Sequence, residues 1–443
     1  MRIPLLNIFD EDMRDVVSGA AFAFALRIMG AGFGFGFNLL LARILGAGGV
    51  GIYYLSLTVT TIATVIGRLG LDNSLLRYAS VGAANHNWDQ VAGIYRQALY
   101  LALAASGFTS VLMFMFAPWI ACDIFKKPAL ITLLRIMAFS VVPFSLLNLY
   151  AELLKAFKKT GQASFIQGTG IPLACLLMLI CLAWTTLSVD EIALIYVIAS
   201  ISVLSSGIWL WRKAAPQISG LRGKFCLRRL IATSLPLFWV SSMSMLMSWT
   251  DTIMLGVWME SDSVGLYNAA ARIAMLTSFI LVAVNTIAAP KFASMYAQGY
   301  AQGDYRALEK FARQITLIMI LFATPVLTIF LVWPKLILKL FGPEFIFADK
   351  ALTVLALGQF VNVATGSVGY LLMMSGHEKL MRNNIIFAAV LNVAFNIILI
   401  PRFGIVGAAS STAAALSVMN IVSMGLVYWK TGLLTFPYPK SVL

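Results

Sequence analysis

Residues 21–42 read AFAFALRIMGAGFGFGFNLLLA, and one of these twenty-two side chains, Arg27, carries a charge. As a helix at 1.5 Å per residue the run is about 33 Å long, enough to cross roughly 30 Å of hydrocarbon. Its composition is typical of the chain. Of the 443 residues, 60% are hydrophobic and 11% are charged, whereas a soluble domain carries about 25% charged residues. Apolar runs of similar length recur throughout, and short alternating segments of the kind that build a membrane barrel do not. The expected fold is an all-α integral membrane protein of about 12 transmembrane helices.

The spans are placed near 16–41, 50–70, 93–117, 129–152, 163–187, 190–211, 231–257, 265–289, 312–334, 351–375, 384–400 and 406–428. Orientation follows from the basic residues. With the amino terminus cytoplasmic, the cytoplasmic segments and their adjoining span ends hold 21 Lys and Arg, the outer loops hold 7, and four arginines fall within spans. That bias predicts a multi-pass protein of the cytoplasmic (inner) membrane with both termini cytoplasmic. It also accounts for the net charge of +14 without nucleic acid. The four cysteines form neither a CxxC pair nor a cluster with histidine, so no metal site or disulfide framework is expected. No P-loop is present, which argues against ATP hydrolysis by this chain, and no cofactor is expected.

The most basic loop, WRKAAPQISGLRGKFCLRR at 211–229, divides the chain into equal halves. The expected organisation is a cytoplasmic segment over 1–15, an N-lobe of six spans over 16–211, a linker over 212–230, a C-lobe of six spans over 231–429 and a cytoplasmic tail over 430–443. A repeat supports the division. VGIY at 50–53 matches VGLY at 264–267, and the same offset sets RYAS at 77–80 against KFAS at 291–294. With three residues inserted, Arg96-Gln97 aligns with Arg313-Gln314. Six spans per half make the repeat parallel, a design in which substrate is expected between the lobes.

Three longer stretches carry a family resemblance: LARILGAGGVGIYYLSL at 41–57, DTIMLGVWMESDSVGLYNAAARIA at 251–274 and NVAFNIILIPRFGIVGAASSTAAA at 392–415. They resemble the polysaccharide-biosynthesis flippases, in the superfamily that also holds multidrug/cation antiporters and the peptidoglycan-precursor flippase. The resemblance implies two pseudo-symmetric six-helix lobes forming a V around a central cavity. It implies transfer of an undecaprenyl-pyrophosphate-linked oligosaccharide, such as an O-antigen or other surface-polysaccharide repeat unit, from the cytoplasmic to the outer leaflet. The implied partners are that lipid-linked oligosaccharide, membrane lipids, a coupling cation (H+ or Na+) and polysaccharide polymerases. In the related precursor flippase, arginines of the first and eighth spans are thought to hold the pyrophosphate. Arg27 and Arg272 occupy those spans here.

The intramembrane charges point the same way. An arginine at mid-span costs about 2.5–3.5 kcal/mol on insertion scales, so it faces a cavity or a partner. Helical steps from Arg27 give Ala20, Ala23, Ala31, Gly34 and Asn38, a small polar stripe opposite Phe22, Leu26, Phe33 and Phe37. Arg27 and Asn38 are therefore expected on the cargo path. Gly30, Gly32, Gly34 and Gly36 read as sites of close helix packing or bending. Arg68 lies nearer its span end, where it either lines the cavity or snorkels. Arg135 is read as snorkelling at the outer surface. Asp251 follows Ser241, Ser244 and Ser248 along one stripe, at a depth of about 10 Å, similar to that of Arg272. Two readings of Asp251 stand: a structural ion pair with Arg272, or a group that titrates during transport. Glu152, beside Lys155, is read as interfacial, which leaves no buried acid in the N-lobe to neutralise Arg27. A pyrophosphate fits that vacancy, since guanidinium groups match phosphate oxygens bidentately. The alternatives are a cation-coupled multidrug exporter of the same fold and, more remotely, a membrane enzyme using Glu344 and Asp349 of the outer loop.

Overall fold

The computed structural model describes residues 11–182, 186–218, 220, 221, 223, 227–302 and 304–436, with only the backbone described for residues 11–24, Arg27 and several positions in 229–247 and 283–302. Residues 1–10 of the expected amino-terminal segment, parts of the linker and the tail beyond 436 lie outside the described residues.

Every long element is a helix: α1 Glu11–Arg68, α2 Leu71–Ala84, α3 Trp88–Trp119, α4 Leu130–Ala156, α5 Thr160–Ser164, α6 Gly170–Cys181, α7 Val189–Ala214, α8 Leu227–Trp258, α9 Ser261–Ala274, α10 Phe279–Gln302, α11 Arg306–Val332, α12 Pro334–Lys339, α13 Asp349–Ala364, α14 Val368–Met374 and α15 Glu378–Thr431. Nine helical stretches among the described residues are long and apolar enough to cross a membrane. The protein is an all-helical, multi-pass membrane protein. Large side chains such as Phe108, Phe322, Val390 and Trp429 stay more than half exposed, which a bilayer tolerates and water does not.

Two helices are too long for one crossing. α1 has 58 residues and α15 has 54, about 87 and 81 Å if straight. Each is broken by a glycine with positive φ: Gly46 at φ 66°, ψ −178° and Gly404 at φ 56°, ψ −129°. An L side chain is strained in that region, so glycine is what permits each break. The break in α1 is also capped from a distance. The Glu344 carboxylate accepts the Ala47 N–H at 2.8 Å, placing an acceptor and a negative charge at the amino end of the second half.

The chain forms two compact units: Met1–Leu45 with Leu55–Met245, and Gly46–Tyr54 with Leu246–Leu443. In the first, α4 packs on α2, α3 and α7. Leu133, Leu134, Met137, Val141 and Leu147 of α4 are fully buried. Burial all round its circumference marks α4 as a central helix rather than an amphipathic one. In the second, Phe292, Leu308, Ala312, Leu371, Leu372 and Val427 form a core that also buries Leu433, beyond the end of α15.

The repeated VGIY and VGLY segments meet inside the second unit. A Cβ added to Gly51 would lie 1.8 Å from the Ser261 carbonyl oxygen, and one added to Gly265 would lie 2.0 Å from the Ala47 oxygen. Equivalent glycines of the two copies thus face each other in a reciprocal contact, as in an isologous interface.

Candidate functional site

The second unit contains a cavity of about 240 Å³, and Asp251, Tyr267, Arg272, Gln359 and Thr412 are among its lining residues. Asp251 projects from α8 and is 6% exposed. Its Oδ2 accepts the Tyr267 hydroxyl at 2.6 Å and the Thr412 hydroxyl. Its Oδ1 accepts the amide Nδ2 of Asn396 at 2.6 Å and of Asn392 at 3.2 Å. These four donors come from α9 and from both halves of α15, so the break at Gly404 is what brings Asn392, Asn396 and Thr412 to one carboxylate. Asn392 and Asn396 are one turn apart, and a hydrogen bond of 3.2 Å links them. They share a face of α15 and are 2% and 0% exposed.

This corrects the ion-pair reading of Asp251. Among the described residues its hydrogen-bond donors are neutral and its charge has no cationic partner. Hydrogen bonds satisfy the oxygens but leave the net charge, a costly state in a low-dielectric interior. Arg272 lines the same cavity from α9. Its guanidinium lies 5.4 Å from the ring centroid of Tyr54. That contact holds the cation without neutralising it.

The other predicted residues lie elsewhere. Arg27 is within α1, and its side chain is outside the described residues. Asn38, also on α1, donates to the Gly34 carbonyl at 2.7 Å. A Cβ at Gly30 would lie 2.7 Å from Thr169 Oγ1, while Gly32 and Gly34 have nothing within 4 Å. Of these, Gly30 alone is a site of close helix approach. Arg68 pairs with Asp72 at 2.9 Å at the junction of α1 and α2. Of the stripe along α8, Ser248 lines the Asp251 cavity, and the Ser241 and Ser244 side chains lie outside the described residues.

Glu152, read as interfacial beside Lys155, is buried within the protein. It is 7% exposed, pairs with Lys155 at 2.7 Å, and shares Gln167 with Asn148 and Lys155. The first unit therefore holds a buried acid, Glu152, and a half-buried one, Asp72, and each is matched by a basic partner. Asn392 and Asn396 were missed in sequence reasoning because isolated asparagines in an apolar run read as tolerated polar residues. Their i, i+4 spacing was the available signal.

The family model described as polysaccharide biosynthesis protein matches residues 16–296. The chain belongs to that family. A second model, MatE, matches residues 236–398, which include Asp251 and Arg272. An uncharacterized membrane protein of Methanocaldococcus jannaschii is 23% identical over 390 residues, covering 84% of this chain and 76% of that protein. A probable low-salt glycan biosynthesis flippase of Haloferax volcanii is 27% identical over 176 residues, 40% of this chain and 36% of that protein. Among solved structures, the lipid II flippase MurJ in an inward closed conformation matches with TM-score 0.74 at 15% identity, over 93% of this chain and 87% of that one. An inward-facing multidrug resistance MATE family transporter of the MOP superfamily matches with TM-score 0.73 at 16% identity, over 93% and 98%. The fold is that of the MOP-superfamily transporters.

Proposed function

We propose that this protein moves a lipid-linked oligosaccharide across the membrane by alternating access, with Asp251 as the site where a coupling cation enters the cycle. The observation that carries the reading is the pairing of unlike charges left separately uncompensated in one cavity. Among the described residues Asp251 has neutral donors alone, and Arg272 has an aromatic face. A proton or Na+ arriving at Asp251 supplies the missing positive charge there. An anionic headgroup arriving at Arg272 supplies the missing negative charge. The polysaccharide biosynthesis family and the glycan flippase of Haloferax volcanii support a sugar-bearing cargo.

The cargo is an undecaprenyl-pyrophosphate oligosaccharide whose pyrophosphate is held by Arg272; Arg27, whose side chain lies outside the described residues, is placed on the cargo path by its span alone. Phosphate oxygens accept two parallel N–H bonds from a guanidinium, which an ammonium cannot reproduce. The cation is bound through Asp251 Oδ1 and Oδ2, the Thr412 and Tyr267 hydroxyl oxygens and, after reversal of its amide, Asn396 Oδ1. That last oxygen is buried and has no hydrogen-bond partner. A gradient of one charge is worth about 2.3 kcal/mol per 100 mV of membrane potential, sufficient to bias the cycle.

The test is flipping of a fluorescent undecaprenyl-pyrophosphate oligosaccharide in proteoliposomes. Arg272→Ala and Arg27→Ala are expected to slow flipping by about 10- to 100-fold, the loss of one charge-assisted contact, with partial recovery in the lysine variants. Wild-type rates in both alanine variants would remove the arginines from the cargo path. The MatE match supports a second reading, a cation-coupled drug exporter. Cation-driven transport of amphipathic drugs, without flipping of the lipid-linked sugar, would favour it.

A further inference from the structure

The internal repeat supplies a comparison between equivalent arginines. In the second unit, Arg313 of α11 pairs with Glu309 one turn before it and donates to the Leu434 carbonyl at 3.1 Å. Its repeat partner in the first unit is Arg96 of α3. The position one turn before Arg96 is Ala92, so the internal acid is missing. Arg96 instead lines a cavity of about 500 Å³ with Tyr95, Trp211, Arg212 and Pro216. Among the described residues neither Arg96 nor Arg212 has a carboxylate partner.

The cavity has rigid walls. The Tyr95 and Trp211 rings lie 5.4 Å apart, Phe157 abuts Trp211 at 5.0 Å, and the Tyr95 and Tyr150 hydroxyls are 3.3 Å apart. It adjoins a second cavity of about 310 Å³ that shares Tyr95 and Arg96 and continues along Leu99, Leu103 and Leu146. Tyr100 and Leu103 on that side are 71% and 47% exposed. Arg96, Leu99 and Leu103 fall at steps of three and four on α3, so the apolar groove runs about 10 Å along the helix from the cationic end. Two guanidiniums at one end, aromatic residues at the boundary and an apolar groove open to the bilayer are complementary to an anionic amphiphile.

We propose that Arg96 and Arg212 hold the headgroup of an anionic glycerophospholipid whose acyl chain lies along Leu99, Leu103 and Leu146, at a site separate from the Asp251 cavity. The charge is what selects the occupant, since a zwitterionic lipid would bring a second cation to two arginines already lacking an acid.

The test uses the full chain in detergent supplied with phosphatidylglycerol or phosphatidylcholine, with lipid retention read by native mass spectrometry. Wild type is expected to keep phosphatidylglycerol in preference to phosphatidylcholine. Arg96→Gln combined with Arg212→Gln is expected to weaken that retention roughly 30-fold. Lys213→Gln, which removes a charge stacked on Trp209, is expected to leave it unchanged. The double variant gives up no internal ion pair, so its melting temperature should stay near wild type and retention remains readable. Equal retention of the two lipids by wild type, or undiminished phosphatidylglycerol in the double variant, would overturn the site. Displacement of phosphatidylglycerol by the lipid-linked oligosaccharide would also overturn it, by giving the pocket to the cargo. None of these readouts depends on transport activity.

Discussion

At the scale of single residues, the account turns on charges that lack a fixed partner. Asp251 sits among neutral donors, so removing its charge should leave the fold intact. Asp251→Asn is expected to melt within a few degrees of wild type, because neutralising an uncompensated buried charge is close to neutral for stability. A fall of more than 10 °C would instead mark Asp251 as a structural keystone. Tyr54 gives a complementary case. Tyr54→Phe keeps the ring under Arg272, whereas Tyr54→Leu removes it and forfeits a contact of about 1–2 kcal/mol. The expected order of cargo affinity, measured by titration of the lipid-linked oligosaccharide, is wild type, then Phe, then Leu. If Leu and Phe variants bind alike, the aromatic face does not position the cation.

At the scale of elements, the glycines separate into those the helices require and those they do not. A Cβ at Gly51 or Gly265 meets a backbone carbonyl at 1.8 or 2.0 Å, and neither carbonyl can move without its helix. Gly51→Ala and Gly265→Ala are each expected to cost about 3 kcal/mol or more, read as a large drop in melting temperature or in yield of folded protein. Gly34→Ala, with nothing within 4 Å, is expected to be neutral or slightly stabilising, because alanine is the better helix former by about 1 kcal/mol. Equal stability of all three variants would refute the close contact between the repeat copies. Glu344→Ala removes the acceptor at the Ala47 N–H and is expected to destabilise by about 1 kcal/mol, the usual worth of a helix cap.

Much of this level was legible from sequence. Hydropathy locates the apolar helices, because the bilayer imposes length and composition on every crossing. The VGIY and VGLY match marks the segments whose glycines meet. The breaks at Gly46 and Gly404 fall in the gaps that hydropathy leaves between 16–41 and 50–70 and between 384–400 and 406–428; what was not legible is that helix continues on both sides up to a single glycine. Nor was the burial of Glu152. Its burial depends on Gln167, from beyond the end of α4, reaching it at 3.4 Å, a contact with no local periodicity. Asp251 and Arg272 were found as charges in spans, and of the two readings open for Asp251 the ion pair is the one its partners do not bear out. The asparagines that satisfy Asp251 lie some 140 residues away and reach it only because α15 packs against α9.

At the scale of the whole molecule, the proposal is that a cation gradient drives a lipid-linked sugar across the membrane through one acid. Asp251 lies in a cavity with Arg272, and the two charges are not fused into a salt bridge. A fused pair would cancel both charges and leave neither ligand a reason to bind. Keeping them apart lets cation and cargo occupy neighbouring positions, and each changes the electrostatic free energy of binding the other. The coupling is reciprocal, so the coupling cation should tighten cargo binding by the same factor by which cargo tightens the cation.

The most direct measurement is gradient-driven flipping in proteoliposomes carrying a fluorescent undecaprenyl-pyrophosphate oligosaccharide. H+ or Na+ gradients are imposed one at a time on wild type and on Asp251→Asn. The account predicts that one of the two gradients accelerates wild-type flipping. It predicts that the Asp251→Asn protein, folded and inserted, flips slowly and does not respond to either. An Asp251→Asn protein that flips at the wild-type rate and still responds to the gradient would contradict it.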